Sequence, residues 1–374
     1  AIHRWFVGQR WRGYDLVYYG NSIYGNVAAI QQEEQYTFFA NGVPILTAPV
    51  PDITAVEELV HLPMLFVPQP RKVLVVSGGV GGLLNEILKY PVERVDYAEL
   101  DPLLIEAVQK FPTPLTVGEL SDPRVQIEQV DGRLLVRELA AEGNKRYDLV
   151  IVNLPYPSTL QLNRFYTVEF FRLVREILDD EGVVTLPSPG TLTYMSPGMR
   201  NLNATIYETL KQVFPHTHVI PGDTNLWLAS PEAPLETVPL ETLVQRWEER
   251  ALPTSLMTDF HVRLRLDERW LTWFWDSMQK RGNEATRQQG NEGRENEGGV
   301  NQDLRPSGLL YGLFYWNELF SPGFTGYFEF LERISLPVLV AVLIVLTMVL
   351  LAVRRLGRGV KIGRWSLVIS HWSL

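Results

Sequence analysis

Gly78, Gly79, Gly81 and Gly82 lie between the apolar run VLVV at residues 73–76 and a helical-looking stretch at 83–89. A second run, residues 92–100, ends on Glu99 and Asp101. Strand, glycine turn, helix and acid-tipped strand form the first half of a nucleotide-binding crossover. The glycines let the backbone turn tightly and approach a ligand. An acid roughly 20 residues beyond them can accept hydrogen bonds from both ribose hydroxyls. The competing reading is a glycine turn that only lets helix and strand pack closely. Asp131, at the end of the run 125–130, is a further carboxylate at a strand end.

Other chemistries are restricted by composition. The chain of 374 residues contains no cysteine, so disulfides, thiolate metal sites and a cysteine nucleophile are excluded. Its six histidines show no metal-ligand spacing, and no metal is expected. A net charge of -9 argues against nucleic acid held by phosphate neutralisation. The sequence begins at Ala1 with no signal-peptide pattern, and upstream sequence is expected to be missing.

The elements that must position these residues follow in order. Residues 14–47 alternate and are aromatic-rich, with Asn41-Gly42 as a hairpin turn between YTFF and VPIL. A small antiparallel β-domain is predicted over residues 1–60. A helix over 52–66, broken near Pro63, leads into the glycine-loop strand. Helices at 103–111, 132–142, 165–179 and 201–214 alternate with strands at 125–130, 147–152, 182–186, 218–220 and 225–229. That alternation predicts a doubly wound, largely parallel sheet over 61–235, with ligand residues at its carboxyl edge. Asn153 to Pro157 occupy one such end.

A helical extension is expected over 236–281, where Trp270, Trp273 and Trp275 suit packing. Residues 282–300 are polar and repetitive, and a disordered linker is expected. An aromatic juxtamembrane segment is read at 301–335. Residues 336–353 carry no charge over the roughly 18 residues a membrane helix needs, and a basic tail, 354–374, follows. By the positive-inside rule that tail is cytoplasmic. A single span would leave the nucleotide domain outside, where nucleoside cofactors are scarce. Further spans outside this sequence are therefore expected, with the protein in a bacterial inner membrane and the nucleotide domain in the cytoplasm.

Several motifs carry a resemblance. VLVVSGGVGGLLNE, YAELDP, SDPRVQIEQVDGR, EELVHLP and LNRFYTVEFF resemble the signatures of the spermidine synthases, the polyamine aminopropyltransferases. NQDLRP, at residues 301–306, looks like a motif of bacterial forms fused to membrane segments. The resemblance runs from about Tyr24 to Ser230. It implies that Gly78, Gly79, Gly81, Gly82 and Glu99 bind a nucleoside and that Asp131 faces its adenine. It implies decarboxylated S-adenosylmethionine, or S-adenosylmethionine, as co-substrate, with no tightly bound cofactor. A polyamine acceptor and a homodimer are the further partners to consider.

The acceptor half departs from that family. Val80 stands where the family has an aspartate for the aminopropyl amine. Asn153 stands where an aspartate deprotonates the attacking amine, and Tyr156 replaces a second aspartate. The family's tyrosine-glutamine pair reads Tyr24-Gly25, and its tyrosine-histidine pair reads Ala55-Val56, leaving Glu57. An alkylamine with a pKa near that of lysine, about 10.4, must lose its proton before attack. A carboxylate can take that proton, whereas an asparagine cannot. Asn153 and Tyr156 are therefore the candidate catalytic positions, in altered form. The predicted fold is α/β, a Rossmann-like methyltransferase-type sheet with an N-terminal β-domain and a C-terminal transmembrane helix. Aminopropyl transfer is the ancestral activity, and the altered acids leave it open whether the chain is an enzyme. The rival readings are an S-adenosylmethionine-dependent methyltransferase, a non-catalytic nucleoside-binding membrane module and a transporter accessory.

Overall fold

Alternation at the start of the chain produces a four-stranded antiparallel meander. Its strands are β1 (Asp15–Asn21), β2 (Asn26–Gln32), β3 (Gln35–Ala40) and β4 (Val43–Ala48). The predicted hairpin is present: Ala40 pairs with Val43, and Asn41 and Gly42 both take positive φ. That backbone suits a two-residue turn whose twist matches its strands. Val27, Ala29, Phe38 and Leu46 bury the sheet's inner face in the main core.

These coordinates are a computed structural model that describes residues 11, 13–143, 147–279, 299–320, 344, 345, 347 and 348. After β4 come α1 (Ile53–Phe66), β5 (Lys72–Val76), α2 (Leu83–Leu88), β6 (Arg94–Ala98), α3 (Pro102–Lys110), α4 (Pro114–Ser121) and β7 (Val125–Glu128). Then follow α5 (Gly132–Glu142), β8 (Tyr147–Val152), α6 (Leu160–Asn163), α7 (Val168–Ile177), β9 (Leu178–Pro189), α8 (Pro197–Lys211), β10 (His216–Ile220) and β11 (Thr224–Ser230). The remaining helices are α9 (Leu240–Arg250), α10 (Asp259–Arg265), α11 (Glu268–Gln279) and α12 (Ser307–Phe320). The second sheet has the order β10-β11-β9-β8-β5-β6-β7. Strands β5 to β9 run parallel, while β11 and β10 are antiparallel to their neighbours.

Val73, Leu74, Val75 and Leu149, Val150, Ile151, Val152 are all fully buried, as strands covered on both faces require. The order of β5 to β8 reverses between β5 and β8. A crevice therefore opens at the carboxyl ends of these two strands. Helix α1 was expected to break near Pro63, but it continues through that residue to Phe66. Leu59 to Phe66 are all buried, and their packing outweighs the rung that proline cannot donate. The tryptophan-rich helix α11 packs as expected: Trp275 and Phe274 lie against Trp227, and Trp275 against Tyr207.

The chain divides into two units, Ala1–Trp316 and Asn317–Leu374. In the second, the described residues are 317–320, 344, 345, 347 and 348. The expected transmembrane helix over 336–353 is corrected here. No helix among the described residues is long and apolar enough to cross a membrane. The longest, α8, has 15 residues, about 22 Å at 1.5 Å per residue, against about 30 Å of hydrocarbon. A charge-free run reports a preference for burial and does not itself fix a helix of spanning length. Most of residues 336–353 lie outside the described residues, as do most of the expected linker at 282–300 and all of the basic tail. The inner-membrane location inferred from that helix loses its support with it.

Candidate functional site

At the end of β5 the chain leaves the sheet abruptly. Ser77 and Gly78 take φ of 65° and 62°, and Gly81 and Gly82 take 99° and 118°. A non-glycine residue at positive φ is uncommon, so Ser77 marks a strained exit from the strand. It is held there by donating its N–H to Ala98 O at 2.9 Å. Gly79 serves a different purpose, because a Cβ there would lie 2.8 Å from the Tyr97 ring.

Tyr97 on β6 is fully buried and donates its hydroxyl to Glu99 Oε2 at 2.6 Å. Glu99, 5% exposed, also receives Asp101 N–H at 3.4 Å on Oε1. Burial raises its pKa, against the opposing hydrogen bonds from Tyr97 and from the backbone of Asp101, Gly78 and Leu100. The N-cap of α3 is Asp101, whose Oδ1 accepts from Leu103 N at 3.0 Å. Glu99 is thus not spent on capping. Its Oε1 bond to Asp101 N is long, and a carboxylate has lone pairs beyond its backbone partners, so a ribose hydroxyl can still donate to it. From the β-meander, Ser22 donates to Asp101 Oδ2 at 2.7 Å and ties the meander to this end of the sheet.

Across the crevice, Asn153 continues β8 by donating its N–H to Val76 O at 3.0 Å. Its side-chain Nδ2 donates to Gly78 O at 3.0 Å. Gly78 therefore joins three of the expected site positions, touching both Glu99 and Asn153. Asp131 is differently engaged. It caps α5, with Oδ1 accepting from Arg133 N at 2.9 Å and Leu134 N at 3.2 Å, and its Oδ2 pairs with Arg164. Those contacts use both of its oxygens, so an adenine amine would compete with Arg164. Tyr156 packs edge-on against Tyr315 of α12, ring centroids 5.3 Å apart. Burial, and then Tyr315, raise the pKa of its hydroxyl. Val80 is buried in the main core. Glu57 turns to the segment after α9, accepting from the backbone N–H groups of Ser255, Leu256 and Met257 at 2.6 to 2.8 Å.

Sequence reasoning missed two groups of contacts: the burial of Glu119, and the partners of the NQDLRP motif, which the sequence shows as a motif without them. Glu119, 0% exposed, accepts from Gly81 N, Gly82 N and Asn85 N. A glutamate in the polar run GELSD carries no sequence signal of burial. The second group gathers on Asp303. Arg133 donates to both of its oxygens at 2.8 and 2.6 Å and also to Arg164 O. Asn301 beside it bonds Asn163, Tyr166 O, Thr209 and Gly308 N. The NQDLRP motif is thus an anchor beside the Asp131 end of the site. Among the described residues no cluster of histidine, aspartate and glutamate could hold a metal.

Residues 54–231 match the spermine/spermidine synthase domain. The chain carries a spermine/spermidine synthase domain. It is 36% identical over 171 residues to the polyamine aminopropyltransferase of Korarchaeum cryptofilum, covering 46% of this chain and 51% of that protein. Against the enzyme of the same name from Thermotoga neapolitana, identity is 29% over 208 residues, 55% of this chain and 67% of the relative. The chain therefore spans about half to two thirds of the length of these relatives. The synthase domain's fold is also that of the solved spermidine synthase from Thermotoga maritima, with a TM-score of 0.56 at 24% identity over 70% of this chain and 88% of that one. A spermidine synthase solved with the transition state analogue AdoDATO gives 0.55 at 23%, over 70% and 87%.

Proposed function

We propose that the synthase domain binds decarboxylated S-adenosylmethionine, or a close relative, in the crevice between β5 and β8. The reaction is aminopropyl transfer to an amine, at a rate limited by the missing acceptor acids. The observation that carries the reading is the strained turn at Ser77 and Gly78, set between Glu99 on one side and Asn153 on the other. The ribose lies against Glu99, and the adenine lies toward Asp131 once Arg164 yields or shares that carboxylate. The same reading leaves the acceptor side poor in charge. Val80 lies in the core, Asn153 is hydrogen-bonded to the loop, and Tyr156 packs on Tyr315.

The transfer itself is an in-line attack. A neutral amine donates its lone pair to the carbon beside the sulfonium, the carbon–sulfur bond breaks, and methylthioadenosine leaves with the electron pair. For this the amine must first shed the proton it carries in solution. A general base typically contributes about 10² to 10⁴ in rate, and neither Asn153 nor Tyr156 supplies a carboxylate for that step. Titration calorimetry with decarboxylated S-adenosylmethionine, S-adenosylmethionine and methylthioadenosine tests the reading. The decarboxylated compound and methylthioadenosine are expected to bind, and the carboxylated one more weakly. Preference for S-adenosylmethionine would favour methyl transfer instead, and no binding of any of the three would refute the proposal.

A further inference from the structure

The glycine turn is held from behind by a carboxylate on a separate helix. Glu119 projects from α4, whose N-terminus is fixed by a reciprocal cap between Thr113 and Thr116. Its Oε2 accepts from Gly81 N at 2.8 Å, and its Oε1 from Gly82 N at 2.7 Å and Asn85 N at 3.1 Å. Gly82, at the N-cap position of α2, has no side chain to satisfy the first-turn amides. Glu119 does for that turn what a capping side chain does locally, from 37 residues away in sequence. Hydrogen bonds to an ionised acceptor are roughly twice as strong as neutral ones. Here they fix the two residues whose φ values of 99° and 118° set the loop's course.

We infer that Glu119 is a positioning residue of the nucleoside site: its carboxylate fixes the residue 78–82 turn in the shape that receives the ligand. The inference rests on the nucleoside reading above. Burial pushes the Glu119 carboxyl up to about 7, with the backbone N–H groups of Gly81, Gly82 and Asn85 opposing and Glu86 adding to the rise. Glu86 is the charged side chain that faces it from α2, itself paired with Lys89 and His61. A proton on either oxygen of Glu119 would meet an amide N–H donor with another donor, so at least one of the three bonds fails. Because that pKa is raised in the closed turn, lowering the pH does not release it: the buried carboxyl binds its proton more tightly than an exposed one would. The clamp is therefore read at a fixed pH of about 8.5, where the ionised carboxylate makes all three bonds.

The test measures methylthioadenosine affinity by calorimetry at this pH, in wild type and Glu119→Gln, with amide exchange over residues 77–88 followed by mass spectrometry. Glu119→Gln is expected to bind about fivefold more weakly than wild type. Exchange in the turn should be faster in the variant. A variant with wild-type affinity and exchange would overturn the inference, because a side chain that only fills space would give that result. If Glu119→Gln does not fold, Glu119→Asp, one methylene too short to reach all three N–H groups, decides. Faster exchange in the turn of Glu119→Asp than in wild type supports the clamp, and unchanged exchange refutes it. A wild type that binds no nucleoside, yet exchanges faster in the variant, would refute the nucleoside reading while supporting the clamp.

Discussion

Asn153→Asp restores the family's acid at the β8 end, and the structure predicts that it destabilises the resting protein. Asn153 Nδ2 donates to Gly78 O at 3.0 Å. An aspartate at the same place turns a donor into a second acceptor, so two oxygens face each other across the crevice. Losing a hydrogen bond and leaving a partly buried carbonyl without its donor costs about 1–3 kcal/mol. Asn153 is only half-buried, so solvent relieves part of this and about 1 kcal/mol is expected. Protonation reverses the effect, because a neutral carboxyl can donate to Gly78 O. The new carboxyl should then titrate roughly one unit above the free value of about 3.9. The sign follows: with its folded pKa raised, the aspartate's bond to Gly78 is present below the free pKa and lost as pH rises through the raised one. The variant should melt about 2–4 °C below wild type at pH 7.5, the shift expected for 1 kcal/mol in a domain of this size. The gap should close near pH 4. The assay is paired thermal melts of variant and wild type, so that common titrations cancel. Equal deficits at both pH values, or none at pH 7.5, would show that the Gly78 bond does not carry this part of the loop.

The other expectations concern the ligand and the turn. Glu99→Ala should weaken methylthioadenosine binding at least tenfold, about 1.4 kcal/mol, and unchanged affinity in calorimetry would remove Glu99 from the ribose site. Wild-type turnover with putrescine should be undetectable or very low, and the combined changes Val80→Asp, Asn153→Asp and Tyr156→Asp should raise product formed from decarboxylated S-adenosylmethionine. Single restorations should do little, since groups that act as a unit are not additive; fast wild-type turnover would contradict the missing-base argument. Gly79→Ala puts a methyl 2.8 Å from the Tyr97 ring and should cost about 1–3 kcal/mol through overpacking, read as a lowered melting temperature. A Gly79→Ala protein that melts with wild type would mean that the ring can move aside.

Local pattern determined much of this protein. The run 73–76, the glycines and the acid-tipped strand identified the crossover, because periodicity and turn chemistry act within a few residues. Asn41-Gly42 placed its hairpin for the same reason. The motifs around residues 71–102 and 147–170 named the family, and they also exposed Val80, Asn153 and Tyr156 as departures. Tertiary structure decided what each side chain touches. Pro63 stays helical because neighbouring elements bury its turn. Asp131, legible as a strand-end acid, is engaged by α5 and Arg164. Tyr156 meets Tyr315, 159 positions further along the chain, and Glu119 meets the glycine turn. Such partners are brought together by packing across the sheet edge, and spacing along the chain carries no record of them. The apolar run at 336–353 marks the same boundary: composition reported a preference for burial but did not establish a spanning helix.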